Sequence, residues 1–223
     1  ETGPPSALEQ AFPWLSTVSL VVANLIPLAG VLCWGWSIFA IMFLFWAENI
    51  VVGVVNILRM LVCKPDQPMG WLVKLFFIPF FTFHYGMFCA GHGLFVLLLF
   101  GGMGQAVGVM EHFGPRTILD LLQLGLRGQP GITYAVIGLA ISHLISFGVN
   151  FIGRGEYRRA DASTLMHRPY GRIVVLHLTL LFGAFLLTLT GLKGAAAALL
   201  VALKLGMDLK AHLKERQKLA GTG

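Results

Sequence analysis

Residues 81–96, FTFHYGMFCAGHGLFV, place two histidines in a long apolar run. LFFIPF precedes this stretch and LLLF follows it, so the whole segment is long enough to cross a membrane as one helix. Imidazole groups are costly in the hydrocarbon core of a bilayer unless they find partners there. His84 and His92 therefore predict a polar site inside a membrane protein.

The composition of the chain is that of a polytopic membrane protein. Of its 223 residues, 57% are hydrophobic and 12% are charged, and the mean hydropathy is +0.79. Soluble domains carry about 25% charged residues. The three cysteines show no CxxC spacing, which argues against a disulfide framework or a thiolate metal site. The terminal tripeptides ETG and GTG are typical of cloning remnants, so we expect a single integral membrane domain over residues 4–220.

Six apolar segments are each long enough to span a bilayer. They lie at residues 14–32, 37–61, 72–100, 132–152, 172–189 and 195–213. This pattern predicts an all-α bundle of six transmembrane helices. In the loop between the third and fourth spans, Asp120, Gln123 and Arg127 follow helical spacing, which predicts a short helix lying on the membrane interface.

Basic residues are distributed unequally around these six spans. Three cations (Arg116, Arg127 and Lys193) fall on one side. The side that holds both termini carries twelve: Arg59, Lys64, Lys74, Arg154, Arg158, Arg159, Arg168, Arg172, Lys210, Lys214, Arg216 and Lys218. The positive-inside rule therefore predicts cytoplasmic termini. A membrane surface with anionic lipids accounts for the net charge of +6, so we expect no nucleic-acid partner.

Polar side chains inside the predicted spans define a candidate site. They are Glu48, Asn49, Asn56, His84, His92, His143, Asn150, His177, Lys204 and Asp208. Depth was counted at about 1.5 Å per residue from the basic residue that anchors each span, which places Glu48, His84, His143 and Lys204 at about 15–16 Å. The same count gives about 6–9 Å for His177, Asp208 and Asn150, and about 27 Å for His92, near the outer interface.

Histidines and carboxylates on several helices are a donor set that suits Zn²⁺. The expected ligands are His84, His143, His177 and Asp208. An open coordination position would bring the pKa of a bound water towards about 7. Glu48 would then act as general base, or Glu48 and Asp208 would exchange the roles of ligand and base, and Lys204 would stabilise an oxyanion or hold a carboxylate in place. The expected substrate is a lipid, or an acyl or amide bond presented within the bilayer.

Three other functions fit the same residues. A proton- or ion-coupled transporter would use Glu48, Lys204, Asp208 and the histidines as a relay. A b-type haem protein would use His84 and His143 as axial ligands. A non-catalytic module would pair its polar layer with itself and bind a protein partner. The HExxH, GxSxG and Walker A motifs are absent, and the sequence leaves open whether the chain forms a homo-oligomer.

Four motifs together resemble a family of small bacterial inner-membrane proteins that is catalogued as a domain of unknown function. They are FWAENIVVGVVNILRM (45–60), FHYGMFCAGHGLF (83–95), HRPYGRIVVLH (167–177) and KLGMDLKAHLKE (204–215). The resemblance implies an inner-membrane location and puts Glu48, His84, His92, His177, Lys204 and Asp208 in family motifs. A looser similarity, to intramembrane zinc hydrolases of the alkaline ceramidase and adiponectin receptor type, rests on several helix-borne histidines and a carboxylate.

Overall fold

The computed structural model describes residues 33–64, 69–153, 155–158 and 160–190, together with Pro27, Gly30, Ala202 and Gly206. Every regular element in these ranges is helical. The α-helices are α1 (Ile38–Val62), α2 (Met69–Val96), α3 (Met103–Glu111), α4 (Thr117–Gly128), α5 (Ile132–Ser146), α6 (Ala162–His167) and α7 (Tyr170–Thr190). The π-helices Leu97–Gly101 and Phe147–Gly153 extend α2 and α5, and a 3₁₀ turn covers Glu156–Arg158.

Three helices in the described ranges are long and apolar enough to cross a membrane. They are Ile38–Val62, Gly70–Gly101 and Ile132–Gly153, which match the second, third and fourth predicted spans to within two residues. The chain is thus identified as an integral membrane protein. Most of the first and last predicted spans lies outside the described residues, and the six-span topology with its orientation stays a prediction.

α1 is the central helix of the described bundle, with contacts to α2, α4, α5, α6 and α7. Its Ser37 N-cap accepts a hydrogen bond from the Ala40 amide, and both Phe43 and Trp46 are fully buried. Glycines let large rings approach: a Cβ built at Gly53 would lie 2.5 Å from the Tyr85 ring, and one at Gly93 2.6 Å from Trp46. Small residues at helix contacts allow this close packing in membranes.

The seam between α1 and α2 is held by donors that bind backbone carbonyls. Trp46 Nε1 donates to the Cys89 carbonyl at 2.7 Å, and the Tyr85 hydroxyl donates to the Asn49 carbonyl at 3.0 Å. Lys74 Nζ donates to the carbonyls of Leu61 (2.7 Å) and Cys63 (2.9 Å) at the end of α1, where carbonyls lack partners within the helix. We name these three donors the carbonyl seam.

α6 and α7 follow one another along α1. Asn56 Nδ2 donates to the Leu165 carbonyl of α6 at 2.9 Å. Arg172 of α7 lies opposite Glu48, which is about two turns closer to the start of α1 than Asn56. α7 is helical over the residues of the predicted fifth span. It begins beside the middle of α1 rather than beside the end of α1. Asp161 caps α6 by accepting from the amides of Ser163 and Thr164.

The helix predicted in the third–fourth loop is present as α4. Its buried face, Thr117, Leu121 and Gly125, packs on α1 and α2, and a Cβ built at Gly125 would lie 2.0 Å from the Phe43 ring. The amphipathic spacing thus predicted the helix correctly. α3, which precedes it, was not predicted, because the sequence GGMGQAVGVM is rich in glycine and gives weak helical signals.

Candidate functional site

Glu48 is placed at the meeting point of three helices. Its Oε1 atom accepts a hydrogen bond from Arg172 Nη2 of α7 and lies 3.8 Å from His143 Nε2 of α5. The Glu48 side chain is 13% exposed, that of His143 25% and that of Arg172 39%. A carboxylate this buried needs a cationic partner, and Arg172 supplies one. The equal depth predicted for Glu48 and His143 agrees with their contact.

A small pocket lies beside this carboxylate, between α1 and α7. Its volume is about 20 Å³, which is room for one water molecule. The lining includes Phe45, Glu48, Asn49, Arg172, Leu176 and Thr179. Asn49 is 5% exposed and donates through Nδ2 to the Phe45 carbonyl at 2.8 Å. Within the described part of the chain, the buried Oδ1 atom of Asn49 has no donor.

Two pairs of side chains join α2 to the opposite face of α7. His84 Nδ1 lies 2.8 Å from the Tyr170 hydroxyl, and His92 Nε2 lies 3.2 Å from His177 Nδ1. The ring of Phe88 separates the two pairs, since it contacts both His84 and His92. We name these two contacts the histidine ladder.

The protonation of the His92–His177 pair follows from its neighbours. His92 Nδ1 lies 2.8 Å from the Phe88 carbonyl, which can only accept, so Nδ1 carries the proton. In neutral His92, Nε2 is then the acceptor, and His177 must donate from Nδ1. His177 Nε2 then carries no proton. The pair thus contains, in order, the Nδ1–H donor of His92, the proton that His177 Nδ1 donates to His92 Nε2, and the unprotonated Nε2 of His177.

The predicted zinc ligands occupy separate positions. His143 contacts Glu48, His84 contacts Tyr170, and His177 contacts His92. Across the described ranges, no three or more histidine, cysteine, aspartate or glutamate side chains come close enough to hold one metal ion. Asp208 and Lys204 lie outside those ranges, so the predicted zinc set and the catalytic role of Lys204 stay predictions.

The depth count misplaced His177. His92 is 8% exposed and bonded to His177, whereas the count separated the two by more than half the membrane. The anchor caused the error, because Arg172 lies beside Glu48 rather than at the surface. Starting α7 at the depth of Glu48 puts His177 at about 23 Å, close to His92.

Sequence reasoning also missed three residues of the site. Arg172 was taken as a surface anchor, Asn49 was listed among the polar residues of the spans without a role, and Tyr170 was not considered. Helical spacing could have found two of them, because Tyr170 and His177 are seven residues apart and share one face of α7. Arg172 and Thr179 are also seven apart and share the face towards α1.

Comparison with known protein families shows to which family this chain belongs. The model of DUF6498, a family of unknown function, matches residues 6–222. The chain belongs to this family. The match spans nearly all of the sequence, including the four motifs that carried the resemblance. No curated protein and no solved structure matches the chain.

Proposed function

We propose that this DUF6498 protein is a proton-coupled membrane transporter in which Glu48 binds the coupling proton. One observation carries the proposal: a single oxygen of Glu48 faces two basic groups from two other helices. Arg172 donates to that oxygen from α7, and His143 lies 3.8 Å from it on α5. A titratable carboxylate between a permanent cation and a titratable one is a proton-dependent switch.

Protonation would change which helices attract one another. Ionised Glu48 holds α7 through Arg172, and a protonated His143 would draw the same oxygen towards α5. A proton on Glu48 removes its charge and weakens the pair with Arg172. The proton therefore shifts the relative stability of two arrangements of α1, α5 and α7, as coupled transport requires.

The surroundings of Glu48 suit a proton better than a large substrate. The adjoining pocket of about 20 Å³ has room for one water, which could exchange protons with Glu48. On the other face of α7, the hydrogen-bonded His92–His177 pair can share a proton between His177 Nδ1 and His92 Nε2. Both features favour proton movement over lipid hydrolysis at this position.

Proton flux into proteoliposomes tests this function. Vesicles loaded with a pH-sensitive dye would receive an imposed pH gradient, with potassium and valinomycin to balance charge. Wild-type protein should acidify the lumen faster than empty vesicles, and Glu48→Gln should reduce the rate to that background. Glu156→Gln, which removes an exposed carboxylate on the 3₁₀ turn, is the matched control and should behave as wild type. Equal rates for wild type and Glu48→Gln would overturn the proposal.

A metal-dependent enzyme is the second candidate, and the His92–His177 pair favours it. Two imidazole nitrogens bound to one tetrahedral zinc at about 2.0–2.1 Å lie about 3.3 Å apart. His92 Nε2 and His177 Nδ1 are 3.2 Å apart, and His92 donates its other N–H to a backbone carbonyl, as metal-ligating histidines do. This candidate supplies two ligands and would need two more from Asp208, water or substrate.

Elemental analysis separates the two candidates. Protein purified in detergent without added metal should contain about one zinc per chain if the metal candidate is correct, and His177→Ala should lose it. His112→Ala, which removes an exposed histidine of the third–fourth loop, should keep it. Metal-free protein that still carries proton flux would eliminate the zinc hydrolase, and a Soret absorbance band would instead support haem.

A further inference from the structure

We propose that Arg59 and Arg168 bind a phosphate anion, whose nearest source is the headgroup of a membrane lipid. Arg59 lies in the last turn of α1, and Arg168 lies between α6 and α7. This site is separate from Glu48 and its proposed role, since it uses neither the carboxylate nor the histidine ladder.

The Arg59 guanidinium has an unused donor. Its Nε atom is buried and has no hydrogen-bond partner in the described ranges of the chain. Its Cζ atom lies 5.7 Å from the centroid of the Phe151 ring, so one face of the guanidinium rests on an aromatic side chain. A buried charged donor without an acceptor is costly, and an anion placed at its edge would remove that cost.

The charges around Arg59 do not cancel among themselves. Arg168 repels Arg59 more strongly than Glu156 attracts it. Asp161, the other carboxylate of this segment, accepts hydrogen bonds from Ser163 and Thr164 at the start of α6. Arg59 and Arg168 each follow by three residues a partner of the Asn56–Leu165 hydrogen bond between α1 and α6, and a phosphate accepts paired N–H donors from arginine.

The neighbouring surface points to a lipid as the source of that phosphate. Beside Arg59, the large apolar side chains of Leu61 and Val62 are 53% and 39% exposed at the end of α1, and Ile152 is 39% exposed beside Phe151. Acyl chains would cover these side chains while the headgroup meets the arginines. Lys64 and Arg158 flank the Tyr157 ring at this end of α1 and add to the positive potential.

Thermal unfolding in mixed micelles tests the site. Full-length protein in neutral detergent would be titrated with phosphatidylglycerol, with phosphatidylcholine, and with inorganic phosphate against chloride at matched ionic strength. Phosphatidylglycerol should raise the Tm of wild type, and about tenfold more lipid should be needed for the same rise in Arg59→Gln and Arg168→Gln. Arg116→Gln, which removes an exposed arginine at the start of α4, should respond as wild type.

Arg59→Lys sharpens the assignment, because lysine keeps the charge and lacks the Nε donor. Its response should fall between wild type and Arg59→Gln. A rise in Tm with inorganic phosphate as large as that with lipid would support the site and make free phosphate its ligand. No rise in wild type with either probe, or equal responses in wild type, Arg59→Gln and Arg168→Gln, would overturn the proposal.

Discussion

The carbonyl seam between α1 and α2 and the polar contacts of α7 use their side chains in different ways. In the carbonyl seam, Trp46, Tyr85 and Lys74 each donate to a backbone carbonyl, which cannot change its protonation. Around α7, side chains bind other side chains, and most of the partners can gain or lose a proton. The first arrangement fixes the distance between two helices, and the second can respond to pH.

The carbonyl seam and the contacts of α7 also differ in how deeply their side chains are buried. Trp46, Tyr85 and Lys74 are at most 5% exposed, whereas the side chains of His143 and Arg172 are 25% and 39% exposed. Polar groups that are buried between neighbouring membrane helices contribute to stability. Ionisable pairs that are partly exposed can exchange protons with water. We therefore expect substitutions in the carbonyl seam to change stability and substitutions around α7 to change proton transfer.

The largest loss of stability should come from Trp46→Ala. This change empties a fully buried site and leaves the Cys89 carbonyl without its donor, which should lower the free energy of unfolding by about 3–5 kcal/mol. Unfolding by a denaturing detergent would measure it. Phe83→Ala, whose side chain is 70% exposed on α2, is the control and should change stability far less. Similar losses of stability in Trp46→Ala and Phe83→Ala would contradict the stabilising role of the carbonyl seam.

Gly53→Ala should cost about 1–3 kcal/mol, because the new methyl group would meet the Tyr85 ring at 2.5 Å and push apart the two helices. Gly86→Ala is the matched control on α2, since nothing in the described chain lies within 4 Å of a Cβ built there. That control should leave stability unchanged or raise it by about 0.5–1 kcal/mol. The same unfolding assay would contradict the packing if Gly53→Ala were neutral.

Lys74→Met should lower stability by about 1–3 kcal/mol, because two carbonyls at the end of α1 would lose their donor in a buried position. The methionine keeps the length of the side chain, so the loss would report the hydrogen bonds rather than a cavity. Lys64→Met removes an exposed charge five residues from the Arg59 side chain and should have little effect on unfolding. A neutral Lys74→Met would mean that Lys74 acts as the surface anchor that its sequence first suggested.

Asp161→Ala should have the smallest effect, about 1 kcal/mol, and it lies outside both regions. The Ser163 hydroxyl and the amides of Thr164 and Ser163 hold the pKa of the Asp161 carboxyl below its ordinary value of 3.8. This stabilisation is therefore complete above pH 3.8 and is lost as the pH falls through the lowered pKa of the folded state. Asp161→Asn should keep most of the N-cap hydrogen bonding at neutral pH, but its free energy of unfolding should no longer carry that dependence on acid. If the free energy of unfolding of Asp161→Asn fell in acid as that of wild type does, the contact would be contradicted.

Hydropathy and amphipathic spacing predicted the spans that match α1, α2 and α5, and also α4, because these properties are local to each segment. The pairing of polar residues was harder to predict. Lys74 and Arg172 look like surface anchors in sequence, yet one caps a neighbouring helix and the other binds Glu48, so the depth counted from Arg172 was wrong. The position at which α7 begins depends on how α6 packs against Asn56, a contact between residues more than a hundred positions apart.

Histidine nitrogen NMR as a function of pH tests most directly whether the contacts of α7 carry exchangeable protons. Protein labelled with ¹⁵N in its seven histidines would be titrated in bilayers, with the exposed His112 and His167 as internal references. We predict a protonated Nδ1 and an unprotonated Nε2 on both neutral His92 and neutral His177, because Nδ1 of each ring donates in its contact. A proton on Nε2 of neutral His92 or neutral His177 would contradict this assignment.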